Sequence, residues 1–117
     1  MSASTTMQAL LLATPAVTAL CGTRIAADRI EQGAARPFVV YTAAAEPQRA
    51  LDGSVHGIKT TFELQCWADT RAAADALAYA VQDALDAQHQ YTTGPVGGYD
   101  GELDLEAALL TCEWWDD

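Results

Sequence analysis

The chain has 117 residues, a formal net charge of −10 and a hydrophobic fraction of one half. This length fits one domain, residues 1–117, whose core can form without disulfide or metal staples. All six basic residues lie in residues 1–71, and residues 72–117 contain ten acidic residues and no Lys or Arg. The acidic half therefore cannot bind DNA phosphates by counterion release, which argues against sequence-specific nucleic-acid binding.

The first elements are two short helices. Thr5 to Ala13 reads as a helix, and Thr14 is a candidate N-cap for a second helix from Pro15 to Cys21, which Gly22 ends. The apolar segment near Met7 has no basic region before it and is too short to cross a bilayer. We therefore expect no signal peptide, no transmembrane helix and no membrane partner, and synthesis in the cytoplasm.

The middle of the chain predicts strands. Thr23 to Ala27 reads as a short extended piece, and Phe38 to Tyr41 is a continuous apolar run that suits a strand covered on both faces. Residues 46–57 contain Pro47 and the Asp52-Gly53 pair, which predict a loop or a hairpin tip. Ile58 to Ala68 alternates with a period of two, which indicates one buried and one wetter face.

The last third predicts the main helix and one more strand. Asp69 or Thr70 caps a helix that runs to about Ala87, and its apolar face consists of Ala73, Leu77, Val81, Ala84 and Leu85. Residues 94–101 are rich in glycine and predict an irregular segment within a loop over 88–102. Residues 103–115 alternate, with a change of phase near residues 107–108 that a β-bulge or tight turn would explain.

These elements predict the α+β class. We expect a small mixed, mainly antiparallel sheet, packed on one face by a long helix, with short N-terminal helices.

Four acidic residues alternate near the predicted last strand: Asp100, Glu102, Asp104 and Glu106. On one strand they would project from the same face, which makes them a candidate acidic surface exposed to solvent or to a channel. A divalent cation is the alternative use of such carboxylates, but the spacing lacks the Asx-Gly pattern of a calcium loop and its distal Glu.

Three tryptophans are candidate interface residues. Trp67 falls on the polar parity of its strand, and Trp114 and Trp115 point to opposite faces of an extended strand. At least some of Trp67, Trp114 and Trp115 should therefore lie outside the core, where tryptophan is enriched at interface hot spots. The alternative is that the main helix or the N-terminal helices cover them within the monomer.

The sequence predicts no catalytic residue, no metal site and no cofactor. His56 and His89 lack partners at ligand spacing, and the segment from Gly94 to Gly98 lacks the Lys and Ser/Thr of a phosphate loop. Three widely spaced cysteines (Cys21, Cys66 and Cys112) predict buried free thiols in a reducing compartment rather than a disulfide framework or a zinc site.

Four pieces of the chain, in order, resemble a family of phage and prophage tail completion or tail terminator proteins. They are Pro15 to Ile25 after a short helix, Gln32 to Tyr41, Leu51-Asp52-Gly53 followed by the strand Thr61 to Ala68, and the helix from Ala72 to Leu85. The resemblance covers roughly residues 5–90, and its order and spacing are more specific than any single piece.

The resemblance implies a structural virion protein at the neck end of a long tail, without catalysis. Such a protein forms a hexameric ring that caps the tail tube, stops its elongation and joins the tail to the head, and DNA passes through its centre. Its expected partners are its own copies, the tail tube protein and a head-completion or connector protein. A gene transfer agent would use the same part.

Two other functions remain open at this point. A head-completion or head–tail connector protein of the neck would also be small, α+β and ring-forming. A small cytosolic enzyme or ligand-binding domain would instead need a pocket with convergent polar groups.

Overall fold

A computed structural model of the protein describes residues 3–30, 35–49 and 55–116. The elements follow in the order α1 (Ala3–Leu12), α2 (Pro15–Cys21), β1 (Ile25–Ala27), β2 (Phe38–Arg49), β3 (Val55–Ala68), α3 (Arg71–Asp86), β4 (Thr92–Asp100) and β5 (Leu105–Asp116). The strands form one sheet in the order β1-β2-β3-β5-β4, in which β1 pairs parallel to β2 and the other pairs are antiparallel. The predicted α+β fold is confirmed.

The two N-terminal helices form where the local sequence predicts them. Pro15 occupies the start of α2 and Gly22 follows its end with a φ of 61°. Thr14 is the N-cap residue by position, but its hydroxyl donates to the carbonyl oxygen of Leu10 instead of capping α2. Each helix buries a narrow apolar stripe, which includes Met7 on α1 and Val17 on α2.

Helix α3 covers the centre of the sheet. The Thr70 hydroxyl accepts the backbone N–H of Ala73 at 3.2 Å, which confirms Thr70 as the N-cap. The buried side chains of α3 recur at helical spacing and form one core with those of β3 and β5. They are Ala74, Leu77, Ala78, Val81, Ala84 and Leu85, and the predicted Ala73 is half-buried beside them.

The opposite side of the sheet carries Glu63, Thr111 and Trp115 and is called the open face below, because no helix of the described residues packs on it. A small apolar cluster occupies one end of this face and contains Phe38, Val40 and Leu105. The prediction of a sheet packed on one face by helices therefore agrees with the structure.

The hairpin of β2 and β3 is longer than predicted. Both strands continue into the predicted loop over 46–57, where Pro47 pairs with Ile58 and Arg49 with Val55. A proline fits there because β1 pairs only with residues 39–41, so the rest of β2 is an edge strand that needs no further donors. Residues 50–54 of the predicted loop lie outside the described residues.

The glycine-rich segment is a strand, and the prediction of an irregular segment over 94–101 is wrong. Strand β4 pairs with β5, and the register shifts between Thr93 and Val96. Gly94 has a φ of 109° at this irregularity, and a bulge in an edge strand tolerates both Gly and Pro. Pairing with β5 therefore keeps this segment in a strand, although glycine has a low intrinsic preference for strands.

The predicted bulge or turn near residues 107–108 is also wrong. β5 pairs with β3 in unbroken register from Glu106 to Asp116. The change of phase arises because Leu105 packs on the open face, whereas Leu110 and Cys112 pack under the helices. One regular strand that buries apolar residues on both faces therefore produces the same change of phase in the sequence as a bulge would.

The three cysteines are free and buried, as predicted. Burial raises the pKa of the Cys66 thiol to about 12 and that of the Cys112 thiol to about 11. These thiols are therefore protonated and covered at neutral pH, and we expect thiol reagents to reach them only after unfolding.

No single helix among the described residues is long and apolar enough to cross a membrane. Taken together, α1 and α2 meet that test of length and composition, but they are bent by 78° at the break between them. Their apolar stripes pack into the core of the domain.

Gly94 and Gly98 give a matched test of the β4 assignment. A Cβ at residue 94 would lie 2.6 Å from the carbonyl oxygen of Leu109, in a backbone conformation that L-residues rarely adopt. We expect Gly94→Ala to lower the free energy of unfolding by about 1–3 kcal/mol. At Gly98 the nearest atom to a new Cβ lies at an ordinary 3.5 Å.

Gly98→Ala should therefore change the stability by less than about 1 kcal/mol. Urea denaturation of both variants checks the pair. Equal losses at the two positions would contradict the bulged strand described for β4.

Candidate assembly surfaces and the acidic turn

The four acidic residues lie at a chain reversal and not on one strand, so the predicted arrangement is wrong. β4 ends at Asp100, residues 101–104 form the turn, and β5 begins at Leu105. The Asp100 carboxylate accepts the backbone N–H groups of Glu102 and Leu103 at 3.0 and 3.2 Å. Hydrogen bonds from an Asp side chain to backbone N–H groups two or three residues later stabilise a turn. Here they determine the local structure, although the alternating acidic residues predicted a strand.

Residues Asp100 to Asp104, with Glu106 at the start of β5, are called the acidic turn below. The Tyr99 hydroxyl donates to the Asp104 carboxylate at 2.9 Å. This hydrogen bond and the charge of Asp104 raise the pKa of Tyr99. The turn thus gathers the predicted carboxylates at one end of the sheet, with Glu102 and Asp104 exposed.

The acidic turn offers no metal site. Within residues 3–30, 35–49 and 55–116, no group of three His, Cys, Asp or Glu side chains is placed to hold an ion. Two of the carboxylates, Asp100 and Asp104, are already hydrogen-bond acceptors within the chain. The arrangement therefore acts chemically as a concentration of negative charge.

Arg71 joins the start of α3 to strand β4. Its Nε donates to the Asp75 carboxylate at 2.8 Å, and this bond is the main cause of the raised pKa of Arg71. The charge of Glu106 acts in the same direction. A Cβ on Gly97 would collide with the Arg71 guanidinium, so the side chain lies directly against the backbone of β4.

The neighbouring tryptophans point to opposite faces, as predicted. Trp114 lies under the helices with 6% of its surface exposed, and its ring meets that of Phe62 edge to face at 6.3 Å. The subunit itself covers Trp114, so its assignment as an interface candidate needs correction.

Trp67 lies on the open face and is half-buried there. It packs against the cluster of Phe38, Val40 and Leu105, and its indole N–H donates to the Gln65 side chain at 3.1 Å. The open-face cluster, and not a helix, therefore provides its cover within the monomer.

Trp115 is the tryptophan with a large uncovered surface, at 53% exposure. It pairs across the strands with Lys59, whose Nζ lies 5.9 Å from the ring centroid and 4.0 Å from the Glu113 carboxylate. Trp67 and Lys59 are eight positions apart on β3, so Trp115 lies roughly 26 Å from Trp67 along the sheet. The two tryptophans share a face but cannot form one hot spot.

A group of exposed apolar side chains near β4 was missed by the sequence reasoning. Five of the nine large hydrophobic side chains exposed in the described part of the chain lie in or beside this strand. They are Tyr91, Val96 and Tyr99, with Leu103 in the turn and Tyr79 on α3. The tyrosines were visible in the sequence, but the surrounding glycines obscured the strand that presents them.

A shallow groove of about 630 Å³ runs beside the opposite edge of the sheet, between α1 and β1. Leu12, Ala26 and Ala27 contribute to its apolar lining. Its polar groups bond each other, because the Tyr41 hydroxyl donates to Gln8 at 2.7 Å and the Gln8 amide donates to the Ile25 carbonyl oxygen at 2.7 Å. The groove thus presents an apolar surface and no reactive group aimed at a ligand.

The adjacent tryptophans allow a direct test of this assignment. We expect Trp114→Ala to lower the free energy of unfolding by about 3–5 kcal/mol, because it empties a core position. Trp115→Ala should cost less than about 1 kcal/mol, since its ring is half in solvent already. Trp114→Phe keeps most of the burial and should fall between the two.

Urea denaturation monitored by circular dichroism measures all three variants. A larger loss for Trp115→Ala than for Trp114→Phe would show that the faces of β5 are assigned the wrong way round.

The chain matches the model of one protein family, described as tail completion protein gp17, over residues 5–115. Its structure is similar to a chain in a solved structure described as the virion of a native gene transfer agent (GTA) particle. The two chains share 20% sequence identity and a TM-score of 0.76, over 94% of this chain and 90% of that chain. At this identity the likeness shows a shared fold, and no curated protein matches the chain.

The family match covers nearly the whole domain, including the strands that carry Trp115 and the acidic turn. The chain therefore belongs to the tail completion protein gp17 family and is a structural, virion-associated tail component.

Proposed function

We propose that this protein is a tail terminator. Its copies form a hexameric ring that caps the finished tail tube, stops its elongation and joins the tail to the head, with DNA passing through the centre. The observation that carries this proposal is the family match over residues 5–115. The shared fold with a chain of a gene transfer agent virion supports it, because the likeness extends over the whole domain.

The surface of the subunit supports an assembly role. A domain of this size that exposes Trp115 and the residues around β4 has apolar surface available for partners. The apolar groove beside β1 lies on the other edge of the sheet. A ring needs two different complementary surfaces on each subunit, and such surfaces are available here.

The acidic turn is proposed to face the channel. Its exposed carboxylates stand in a turn at one end of the sheet, where they would repel DNA phosphates. A passage for DNA functions best when the DNA does not adhere to its wall. The acidic turn supplies this property without a bound ion.

Trp115 is proposed to contact a neighbouring protein of the virion, either the tail tube protein or a head-completion protein. Its ring is half exposed, and Lys59 and Glu113 hold charge beside it. An aromatic ring with a polar rim is typical of an interface hot spot. Trp67 remains a weaker candidate at the other end of the open face, because the subunit covers part of it.

Particles made without this protein test the proposal. We expect electron microscopy to show overlong tails or tails that are not joined to heads, because nothing ends tube growth. Supplying the protein in trans should restore tails of uniform length. Heads that leak DNA beside tails of normal length would instead indicate a head-completion protein.

Charge reversal tests the channel assignment. Glu102→Lys combined with Asp104→Lys should slow DNA ejection or lower infectivity, because two cations would hold the passing phosphates. The matched control, Glu46→Lys with Glu63→Lys, makes the same charge change at exposed positions of β2 and β3. Equal effects of the two pairs, measured by the rate of DNA release from purified particles, would contradict the placement of the acidic turn.

A further inference from the structure

The two edges of the sheet differ in shape and in chemistry. One edge, called the β4 edge surface, carries Tyr79, Tyr91, Val96 and Tyr99. The other, called the β1 edge surface, consists of the groove between α1 and β1 with Leu12 and Ala27, followed by Arg29. The strand order places these surfaces on opposite sides of the subunit, separated by four strand spacings or about 19 Å.

The β4 edge surface is exposed and rich in tyrosine. Tyr91, Val96 and Tyr99 are 79%, 63% and 59% exposed. Tyr79 follows Arg71 by eight positions, or two turns along the same side of α3, and Arg71 rests on Gly97 of β4. The backbone of β4 on this side has no neighbouring strand, so both side chains and main chain are available to a partner.

The β1 edge surface is concave and largely apolar. β1 has only three residues, and the Gln8 side chain already bonds the carbonyl oxygen of Ile25. This edge therefore offers little backbone for pairing and instead offers a groove. Leu12 is 39% exposed at its wall.

The two sides also differ in charge. Residues 3–30, which build the β1 side, contain two arginines and one carboxylate. Residues 71–104, which build the β4 side up to the acidic turn, contain one arginine and six carboxylates. Like edges would therefore repel each other, whereas unlike edges attract.

We infer that neighbouring copies in the ring meet through unlike edges, with the β4 edge surface of one copy docked in the α1–β1 groove of the next. The occupant of the groove is thus a second copy of this chain. The inference rests on the proposed function, because it assigns the subunit contacts of the proposed ring. The contact is heterologous, so it uses both edges of every subunit when the ring closes.

The test places one cysteine on each edge surface of the same chain, as Val96→Cys with Ala27→Cys. Both positions are exposed. The native thiols should not react with the crosslinker, because Cys21, Cys66 and Cys112 are fully buried. A short thiol crosslinker, applied to purified protein and to purified tails, should give a ladder of covalently joined subunits. The control, Val96→Cys with Glu63→Cys, uses an exposed position of the open face on the central strand β3 and should give no ladder.

A second experiment measures the affinity between subunits. Tyr99→Ala should raise the dissociation constant between subunits at least about tenfold, seen as a loss of assembled mass in light scattering. Ile58→Ala removes an exposed apolar side chain from the central strand β3, away from both edge surfaces, and should leave that mass unchanged.

The outcomes separate the inference from the proposed function. A ladder from the control as strong as from the edge pair, or no ladder from the edge pair in tails that hold several copies, would overturn the inference and leave the ring. A loss of assembled mass for Ile58→Ala as large as for Tyr99→Ala would also overturn it. Tails that hold single, isolated copies of the protein would overturn the ring itself.

Discussion

Burial of one face of the sheet under the helices is the constraint on which the other features depend. Phe62 stands at its centre and has no exposed surface. Its ring meets Tyr41 of β2 at 6.0 Å and Trp114 of β5 at 6.3 Å, both edge to face. One aromatic row therefore connects the three central strands, and α3 closes over it with Leu77, Val81 and Leu85. Edge-to-face aromatic pairs stabilise such a core beyond the area that they bury.

This one-sided core determines what the subunit can offer to partners. Because the helices cover only one face, Trp115 and the carboxylates of the open face stay in contact with solvent. Because the sheet does not close into a barrel, it keeps two edges, and natural proteins must protect or use such edges. The irregularity at Gly94 and the short β1 limit free pairing at the edges. Subunits are therefore expected to associate through side-chain contacts rather than through strand pairing between their sheets.

Local signals in the sequence were sufficient for the helices. Pro15 and Gly22 predict both ends of α2, and the spacing of Leu77, Val81 and Leu85 predicts the buried side of α3, since capping and periodicity act within a few residues. Local signals were insufficient for β4. The five residues from Gly94 to Gly98 predict a turn, but they form a strand through pairing with β5. The alternation of side chains along a strand predicted that Trp114 and Trp115 lie on opposite faces of the sheet. The sequence did not show which of them is buried, because this depends on the contact between Trp114 and Phe62. The acidic residues were misplaced for a related reason, because the two backbone contacts of Asp100 turn the chain where the alternation suggests a strand.

The charge of the chain also bears on the geometry of assembly. At −10 per copy, any two subunits repel each other at long range, so a contact is favoured where the local charges oppose this repulsion. A two-fold contact between two β4 edge surfaces would bring carboxylates against carboxylates, and one between two β1 edge surfaces would join grooves that have nothing to fill them. A head-to-tail contact instead places the arginines that flank β1 near the acidic side of the next copy and a tyrosine-bearing edge against a groove. Repetition of such a contact leads to a closed ring or an open helix, and the angle between subunits decides which of them forms. The uneven charge of the two halves of the sequence thus favours the head-to-tail contact of the proposed ring.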